Sequence, residues 1–470
     1  MSENLWILTE EKPKISVIRK IIKLYEQDFS GIIEDESTIK IKPKIKVKSK
    51  NDVFKFHYIV EGIKLSGINK IFIKIVSGNS SFMDFLVFKQ ESKPNKDDIP
   101  IMAIEETKTS DEESRNTGVY QRASKFAFVK AFYKNINFYM LYNDELNTNE
   151  LKKPSDTSIF GTNMLLTLDV KIIGKDTTKW FKKFKSIDDV INFKSNMRRP
   201  PAGNVPIDII KYEDKIEVSG RLAKPSNAGN IGHDPNIGAL SLIGNVLRYL
   251  GWRKKIVITK HGVAQDYIDK TKGKNKFLYI CSLLDMELDE IEMPLQIKLP
   301  EKYWRYEKSS EKVASILLHI VGEYYGMKEV YQNHAGCERG YFKTKNNELI
   351  TLPKKDKNGY NLYIPDLILY DENTKIILLI EGKKISTLNI GLQEINNYDS
   401  IENEFIKKYY PDCTIYRYLS IFGGDIECWN SSFYLSDIFN KYVLLHLDDS
   451  GNIMLNDNSP DCVFNAFYSI

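Results

Sequence analysis

Lysine and mostly apolar residues alternate from Lys40 to Lys50 in IKIKPKIKVKSK, and a period of two places those ammonium groups on one face of a strand. Pro43 has no backbone N–H to give a ladder, which restricts such a strand to a sheet edge. Two readings of the basic face stay open: charge that guards an edge against self-association, or a ribbon that meets phosphate through Lys42, Lys44 and Lys46. Upstream, Ile18, Ile21, Ile22 and Tyr25 recur at helical spacing and predict an amphipathic helix over residues 16–35. Downstream, FKFHYIVEG, KIFIKIVSG, SFMDFLVFK and IPIMAIEETK read as strands, a helix is expected at about 119–134, and INFYMLYN is a further strand.

The pattern then loosens. NMRRPPAGNVP (197–206) and AKPSNAGNIGHDPNIGAL (223–240) are rich in Pro, Gly and Asn and read as loops, which either connect or touch a ligand. A helix in GALSLIGNVLRYLG and a strand in KKIVITKHG make the middle segment a folded piece. A fresh unit begins near Pro300 with SSEKVASILLHIVGEYYGM (309–327), whose Ser cap and apolar stripe predict a helix, followed by strands. The expected fold class is α/β, with two sheet-centred units at 1–196 and 299–470 joined by a folded middle segment at 197–298.

A chain of 470 residues is too long for one ordinary core. Its 42% hydrophobic content suffices for several cores, yet no apolar run approaches the roughly 18 residues that span a bilayer. The start, MSENLWILTEEKPK, lacks the basic and apolar regions of a secretory signal, so the expectation is a cytoplasmic protein with no membrane partner. Five cysteines without a CxxC pair suit reduced thiols, and His334 near Cys337 reads as structural. Lysine and arginine number 67 against 63 acids, a formal charge of only +4, so any binding to a polyanion rests on local clusters.

The chemistry gathers at YIPDLILYDENTKIILLIEGKKIS, residues 363–386. KIILLI is apolar at successive positions, as in a strand buried on both faces, and it runs into Glu381 and Lys383, which share one face. Asp366, after Pro365, is expected to close a neighbouring strand. Charges at such a place are costly unless they serve a ligand or each other, and two converging carboxylates make a hard-oxygen site suited to Mg2+. Metal-dependent phosphodiester hydrolysis is the expected reaction, with Lys383 placing the water and offsetting developing charge. Glu10-Glu11-Lys12 and Glu213-Asp214-Lys215 repeat the tripeptide without a buried strand and an upstream aspartate. Glu311 or Glu323, on the preceding helix, either adds a metal contact or solvates its helix.

Pro365-Asp366, fifteen positions, then Glu381-Gly382-Lys383 resembles the PD-(D/E)xK nuclease superfamily. The segment TLNIGLQEINNYDSIENEFIKKYYP is similar to the stretch after the catalytic lysine in FokI-like cleavage domains. Against that template SFMDFLVFKQE and IPIMAIEETKTS look like a second copy: Asp84, then Glu106 and Lys108, with Met83 where the pattern has proline. Glu106 is preferred because it stands two positions from Lys108; Glu105 is the fallback. Asp84, Glu106, Asp366 and Glu381 are thus the expected metal ligands.

Arg115, Asn116, Gln121, Arg122 and Lys125, on or near the first turns of the next helix, carry side chains that grip phosphates or read base edges, as in EcoRI-like restriction endonucleases, which this region resembles. Arg198 and Arg199, with Arg221, Lys224, Asn227 and Asn230, sit on the loops. The combination resembles a type IIS restriction endonuclease. That implies double-stranded DNA with an asymmetric site as substrate, one strand per active site, Mg2+ as cofactor, and action as a monomer. No P-loop and no methyltransferase motif is visible, so a cognate methyltransferase is expected as a separate protein. The rivals are a DNA-binding or nicking protein with one live site, and a repair or defence nuclease of the same superfamily.

Overall fold

The computed structural model describes residues 3–46, 55–76, 83–95, 97–107, 120, 125–130, 133, 135–142, 154–174, 176–197, 207–220, 235–271, 275–297, 311–332 and 341–470. It is a mixed α/β protein whose sheets are flanked by helices. Two compact units emerge: Met1–Ser77 with Lys89–Lys93 and Tyr306–Ile470, and Gly78–Phe88 with Pro94–Arg305. The N-terminal residues therefore belong with the C-terminal ones rather than with residues 94–196.

In the first unit the chain opens with β1 (Glu3–Thr9), α1 (Ile15–Phe29), β2 (Ile33–Lys46), β3 (Lys55–Leu65) and β4 (Ile68–Ile75), the strands running in the order β2-β3-β4-β1. β1 is buried almost throughout and lies parallel to β4. The helix expected over 16–35 stops at Phe29, because Ser30 takes a left-handed conformation (φ 55°) and Gly31 comes next, against the Tyr25 ring. β2 ends the strand order, as Pro43 requires, and pairs antiparallel with β3.

The second unit holds the start of β5 (Phe85–Gln90), through Phe88, with β6 (Met102–Thr107), β7 (Asn137–Tyr142) and β8 (Lys171–Ile173), and α2 (residues 125–130) between β6 and β7 and α3 (Asp156–Thr167) between β7 and β8. β5 and β6 are antiparallel, while β6, β7 and β8 run parallel. After α4 (Ile187–Ser195), the middle segment forms a small sheet of β9 (Asp208–Lys211), β10 (Lys215–Ser219), β11 (Lys255–Thr259) and β12 (Met286–Leu288), with α5 (Pro235–Tyr249), α6 (Gln265–Thr271) and α7 (Lys276–Leu283).

The first unit resumes with α8 (Lys312–Tyr325), β13 (Lys328–Gln332), the hairpin β14 (Tyr341–Lys343) and β15 (Leu349–Thr351), β16 (Leu367–Asp371), β17 (Ile376–Lys384), α9 (Leu388–Ile395), β18 (Thr414–Phe422), β19 (Val443–Leu447) and β20 (Ile453–Leu455). Six strands order as β13-β16-β17-β18-β19-β20. α8 is buried continuously from Val313 to Gly322, not along one stripe, because it packs against β2 as well as β17 and β18. The strand KIILLI is buried on both faces as expected: Ile377, Leu378, Leu379 and Ile380 have at most 1% exposure. Each such side chain contributes roughly 1.5–3 kcal/mol, which anchors the strand that carries the charges.

A pair of buried carboxylate sites

β16 and β17 pair antiparallel with Leu367 opposite Ile380, so Asp366 and Glu381 come together at the mouth of the pair. Each carboxylate is held by a backbone N–H across the strand pair: Asp366 N donates to Glu381 Oε2 at 3.3 Å, and Gly382 N donates to Asp366 Oδ2 at 3.1 Å. Lys383 Nζ donates to Glu381 Oε1 at 2.6 Å and meets Glu394 Oε2, on α9, at 2.7 Å. The buried Tyr398 hydroxyl donates to Glu381 Oε2.

Two glycines make room for this geometry. A Cβ on Gly382 would sit 3.0 Å from the Glu311 carbonyl oxygen and from Ser315 Oγ, so glycine lets the start of α8 lie against the strand end. A Cβ on Gly391 would meet Lys383 Cγ at 2.7 Å and Leu419 Cδ2 at 2.9 Å, so glycine there lets α9 lie on the lysine stem.

The electrostatics are unbalanced. Burial and the adjacent Asp366 charge push the Glu381 carboxyl up to about 7, despite Lys383 and Tyr398. Burial alone would lower Lys383, but its bonds to Glu381 and Glu394 outweigh that and hold the ammonium above its usual range. Burial, then the Glu381 charge, push the Tyr398 phenol far up, so it stays a donor. Glu381 and Glu394 thus share one ammonium beside the Asp366 carboxylate, and hard oxygen donors of this kind fit a divalent cation such as Mg2+. A small cleft beside Asp366 is lined by Glu11, Lys312, Ser315 and Gln332 among others.

Glu323 takes neither part expected of it. It forms an ion pair with Lys12 Nζ at 2.5 Å, and the same ammonium lies 3.4 Å from Glu329 and 3.2 Å from His319 Nε2. His319, Glu323 and Glu329 could ligate a metal by geometry, since their ligand atoms lie within 4.8 Å of one another, but the buried Lys12 ammonium already supplies the cation. Burial alone would raise both glutamates; Lys12 and His319 outweigh it and lower them, Glu329 well below its usual range. Glu311 meets the motif through its backbone.

The second unit repeats the arrangement with one residue changed. β5 and β6 pair antiparallel with Phe85 opposite Ile104, which aligns Asp84 with Asp366 and Glu105, not Glu106, with Glu381. Asp84 N donates to Glu105 Oε2 at 3.2 Å, and Glu106 N donates to Asp84 Oδ2 at 2.8 Å, the same reciprocal hold. Glu105 is 1% exposed. The preference for Glu106 counts alternation from Lys108; the strand register counts it from Asp84 and selects the fallback. The Lys383 position falls on Thr107. An ammonium is nonetheless present: Lys125 Nζ, from α2, donates to Glu105 Oε1 at 2.6 Å and reaches Asp84 Oδ1 at 3.5 Å.

Lys108, Arg115, Asn116, Gln121, Arg122, Arg198, Arg199, Arg221, Lys224, Asn227, Asn230, His334 and Cys337 lie outside the described residues, as does the Lys46 side chain. Lys125 is brought to the carboxylates rather than left for DNA alone. Lys42 lies 3.8 Å from Glu61 and 5.6 Å from the Tyr324 ring centroid, and Lys44 is half-buried on the same edge strand. Sequence reasoning assigns no role to Glu394, Tyr398 or Gly391. Their signal is the i, i+3, i+7 spacing in GLQEINNY, which puts all three on the side of α9 and its continuation facing β17. It also sets aside Glu11 and Lys12, because nothing local ties residue 12 to residue 323. The other four cysteines, Cys281, Cys413, Cys428 and Cys462, are free thiols. Among the described residues no helix is long and apolar enough to cross a membrane. Comparison with family models, curated proteins and solved structures finds no significant match.

Proposed function

We propose that the chain is a Mg2+-dependent type II restriction endonuclease of the PD-(D/E)xK superfamily. In this reading it cuts double-stranded DNA at an asymmetric site, each carboxylate pair hydrolysing one strand. The observation that carries the reading is the repeated geometry. In both units the N–H of an aspartate before one strand donates to a glutamate in the next, and the N–H of the residue after that glutamate donates to the aspartate, with an ammonium 2.6 Å from the glutamate Oε1. A structural ion pair has no reason to recur in that register.

Asp366 with Glu381, and Asp84 with Glu105, would hold the cation, which supplies Lewis-acid polarisation of the phosphodiester and a more acidic bound water. The protein's own part is positional. Lys383 Nζ, fixed between Glu381 and Glu394, orients the attacking water and sits where charge builds on the phosphate. Tyr398, donating to Glu381 Oε2, fixes the orientation of the carboxylate that would hold the cation. The water's hydroxyl joins phosphorus, the P–O bond to the leaving sugar breaks, and the water's second proton ends on that sugar oxygen. Two unlike sites in one chain suit a monomer on an asymmetric sequence, with a separate methyltransferase protecting the host site.

The absence of a lysine at position 107 favours one rival, a nicking enzyme live only in the C-terminal site. Digestion of a sequenced supercoiled plasmid with Mg2+, with ends mapped on each strand, decides between them. The two-site reading expects linear fragments with defined ends, and Asp366→Ala and Asp84→Ala each leaving a nick on opposite strands. Intact plasmid would overturn the enzyme reading; a wild-type nick alone would favour the rival.

A further inference from the structure

We infer that Lys125, carried on α2, is the catalytic lysine of the site in the second unit, replacing the strand lysine that the C-terminal site has at position 383. The inference rests on the nuclease reading and goes beyond it, because it moves a catalytic group to a different element.

The registers fix the comparison. Phe85 pairs with Ile104 and Leu367 with Ile380, each pair being the residue after the aspartate and the residue before the glutamate. Two positions past the glutamate stand Lys383 in one site and Thr107 in the other. A threonine carries no positive charge, so the position that Lys383 fills supplies no ammonium in the second unit. Lys125 Nζ lies 2.6 Å from Glu105 Oε1, and Lys383 Nζ lies 2.6 Å from Glu381 Oε1: the same charge on the corresponding carboxylate oxygen. In the C-terminal site the strand gives the lysine and the next helix gives Glu394; in the second unit the next helix gives the lysine.

α2 is a firm base for that group. Phe126, Ala127, Phe128 and Val129, the residues next in line, are all buried at 4% exposure or less, and the Phe126 ring meets the Phe138 ring of β7 edge-on at 6.2 Å. The Lys125 side chain keeps 17% exposure, enough to stay open toward a phosphate. A surface ion pair would have no such anchoring and no need of the Asp84 contact at 3.5 Å.

Four proteins are compared on supercoiled plasmid with Mg2+: wild type, Lys125→Met, Lys108→Ala and the double variant Thr107→Lys/Lys125→Met. The expected result for Lys125→Met is at least a 100-fold loss of cutting on one strand, the strand that Asp84→Ala also spares. Lys108→Ala cuts that strand at least tenfold faster than Lys125→Met, and the double variant also regains at least tenfold over Lys125→Met. Calorimetric titration with Mg2+ in the absence of DNA adds a second readout: Lys125→Met binds at least as tightly as wild type, since the carboxylates lose a competing cation. Cutting of both strands by Lys125→Met within threefold of wild type would overturn the inference. So would a nicking phenotype in Lys108→Ala, or loss of Mg2+ binding in Lys125→Met, which would make the lysine a scaffold. If wild type leaves the plasmid intact, the nuclease reading falls and takes this assignment with it; if wild type and Asp84→Ala behave as proposed, failure falls on Lys125 alone.

Discussion

Replacing Glu381 by glutamine should stabilise the metal-free protein at alkaline pH while abolishing one cut. In the absence of a cation the Glu381 carboxyl is pushed from 4.5 up to about 7 by burial and by Asp366. At about 1.4 kcal/mol per pKa unit, keeping it ionised costs the fold about 3 kcal/mol above pH 7. A carboxyl whose folded value is raised binds its proton more tightly in the native state. Its contribution is therefore most favourable below pH 4.5, declines as pH rises to about 7, and is flat beyond. Glutamine removes the charge at every pH, but its amide nitrogen cannot accept from Lys383 on one side or from Asp366 N and Tyr398 on the other. That lost acceptor costs about 1 kcal/mol. The net gain is about 2 kcal/mol at pH 8.5, a rise in Tm of about 4–8 °C for a unit of this size. At pH 4.5 the gain disappears and the variant melts at or below wild type. Scanning calorimetry in chelator at the two pH values measures both. A Tm below wild type at pH 8.5, or a gain equal at both pH values, would mean that Glu381 is a structural partner of Lys383 and not a charge kept for a cation.

The same geometry sets three further outcomes. Lys12→Met leaves Glu323 and Glu329 buried without their ammonium, so it should destabilise by about 3–5 kcal/mol near pH 7; the deficit should narrow in thermal melts below pH 4.5, where both depressed carboxyls lose the advantage of ionisation. Gly391→Ala forces a methyl to within 2.7 Å of Lys383 Cγ, and strand-resolved digestion should show the C-terminal cut slowed about tenfold or more for about 1–3 kcal/mol of stability. On the edge strand, Lys44→Ala should lower the salt dependence of DNA binding by about 0.9 in log–log slope, whereas Lys42→Ala should change it less, because Glu61 and Tyr324 already engage that ammonium. Equal slopes for the two variants in filter binding across a salt series would count against a phosphate-facing Lys44.

What can be read from the chain depends on how local each signal is. The C-terminal trio is legible because Asp366 directly precedes one strand and Glu381 and Lys383 end the adjacent one, where alternation decides which side chains share a face. β3, β4, β5, β6 and β7 are legible for the same reason, as short apolar runs bounded by turns. In the second unit alternation counted from Lys108 starts one position out, and an error of one in that origin exchanges Glu105 for Glu106; only the cross-strand pairing of Phe85 with Ile104 supplies the correct origin. β1 escapes notice because ENLWILT, at the chain start, invites weighing as a leader rather than as a strand. The partnership of Lys12 with Glu323 and Glu329, and the grouping of residues 1–77 with 306–470, are set by contacts distant in sequence that no window of spacing can register.

The two lysine-centred clusters of the first unit show how a structural charge can be told from one held for a ligand. Around Lys12 two glutamates meet one ammonium and a histidine, and every resolved displacement favours the charged forms: Lys12 up, Glu323 and Glu329 down. Such a cluster is complete, and a metal entering it would have to displace a lysine that is already well paired. Around Lys383 two carboxyl groups, Glu381 and Glu394, share one ammonium beside Asp366, and the displacements disagree: the lysine is driven toward its charged form while Glu381 is driven away from it. Carboxylates gathered at a strand mouth, with hard oxygen donors, suit a divalent cation. Both lysines are buried and both lie within 3 Å of a carboxylate oxygen, so distance alone cannot separate the clusters. The glutamate displacements differ in sign, down at residues 323 and 329 and up at residue 381, and under the proposed nuclease reading that difference sets the tripeptide at residues 10–12 apart, as architecture, from the one at 381–383.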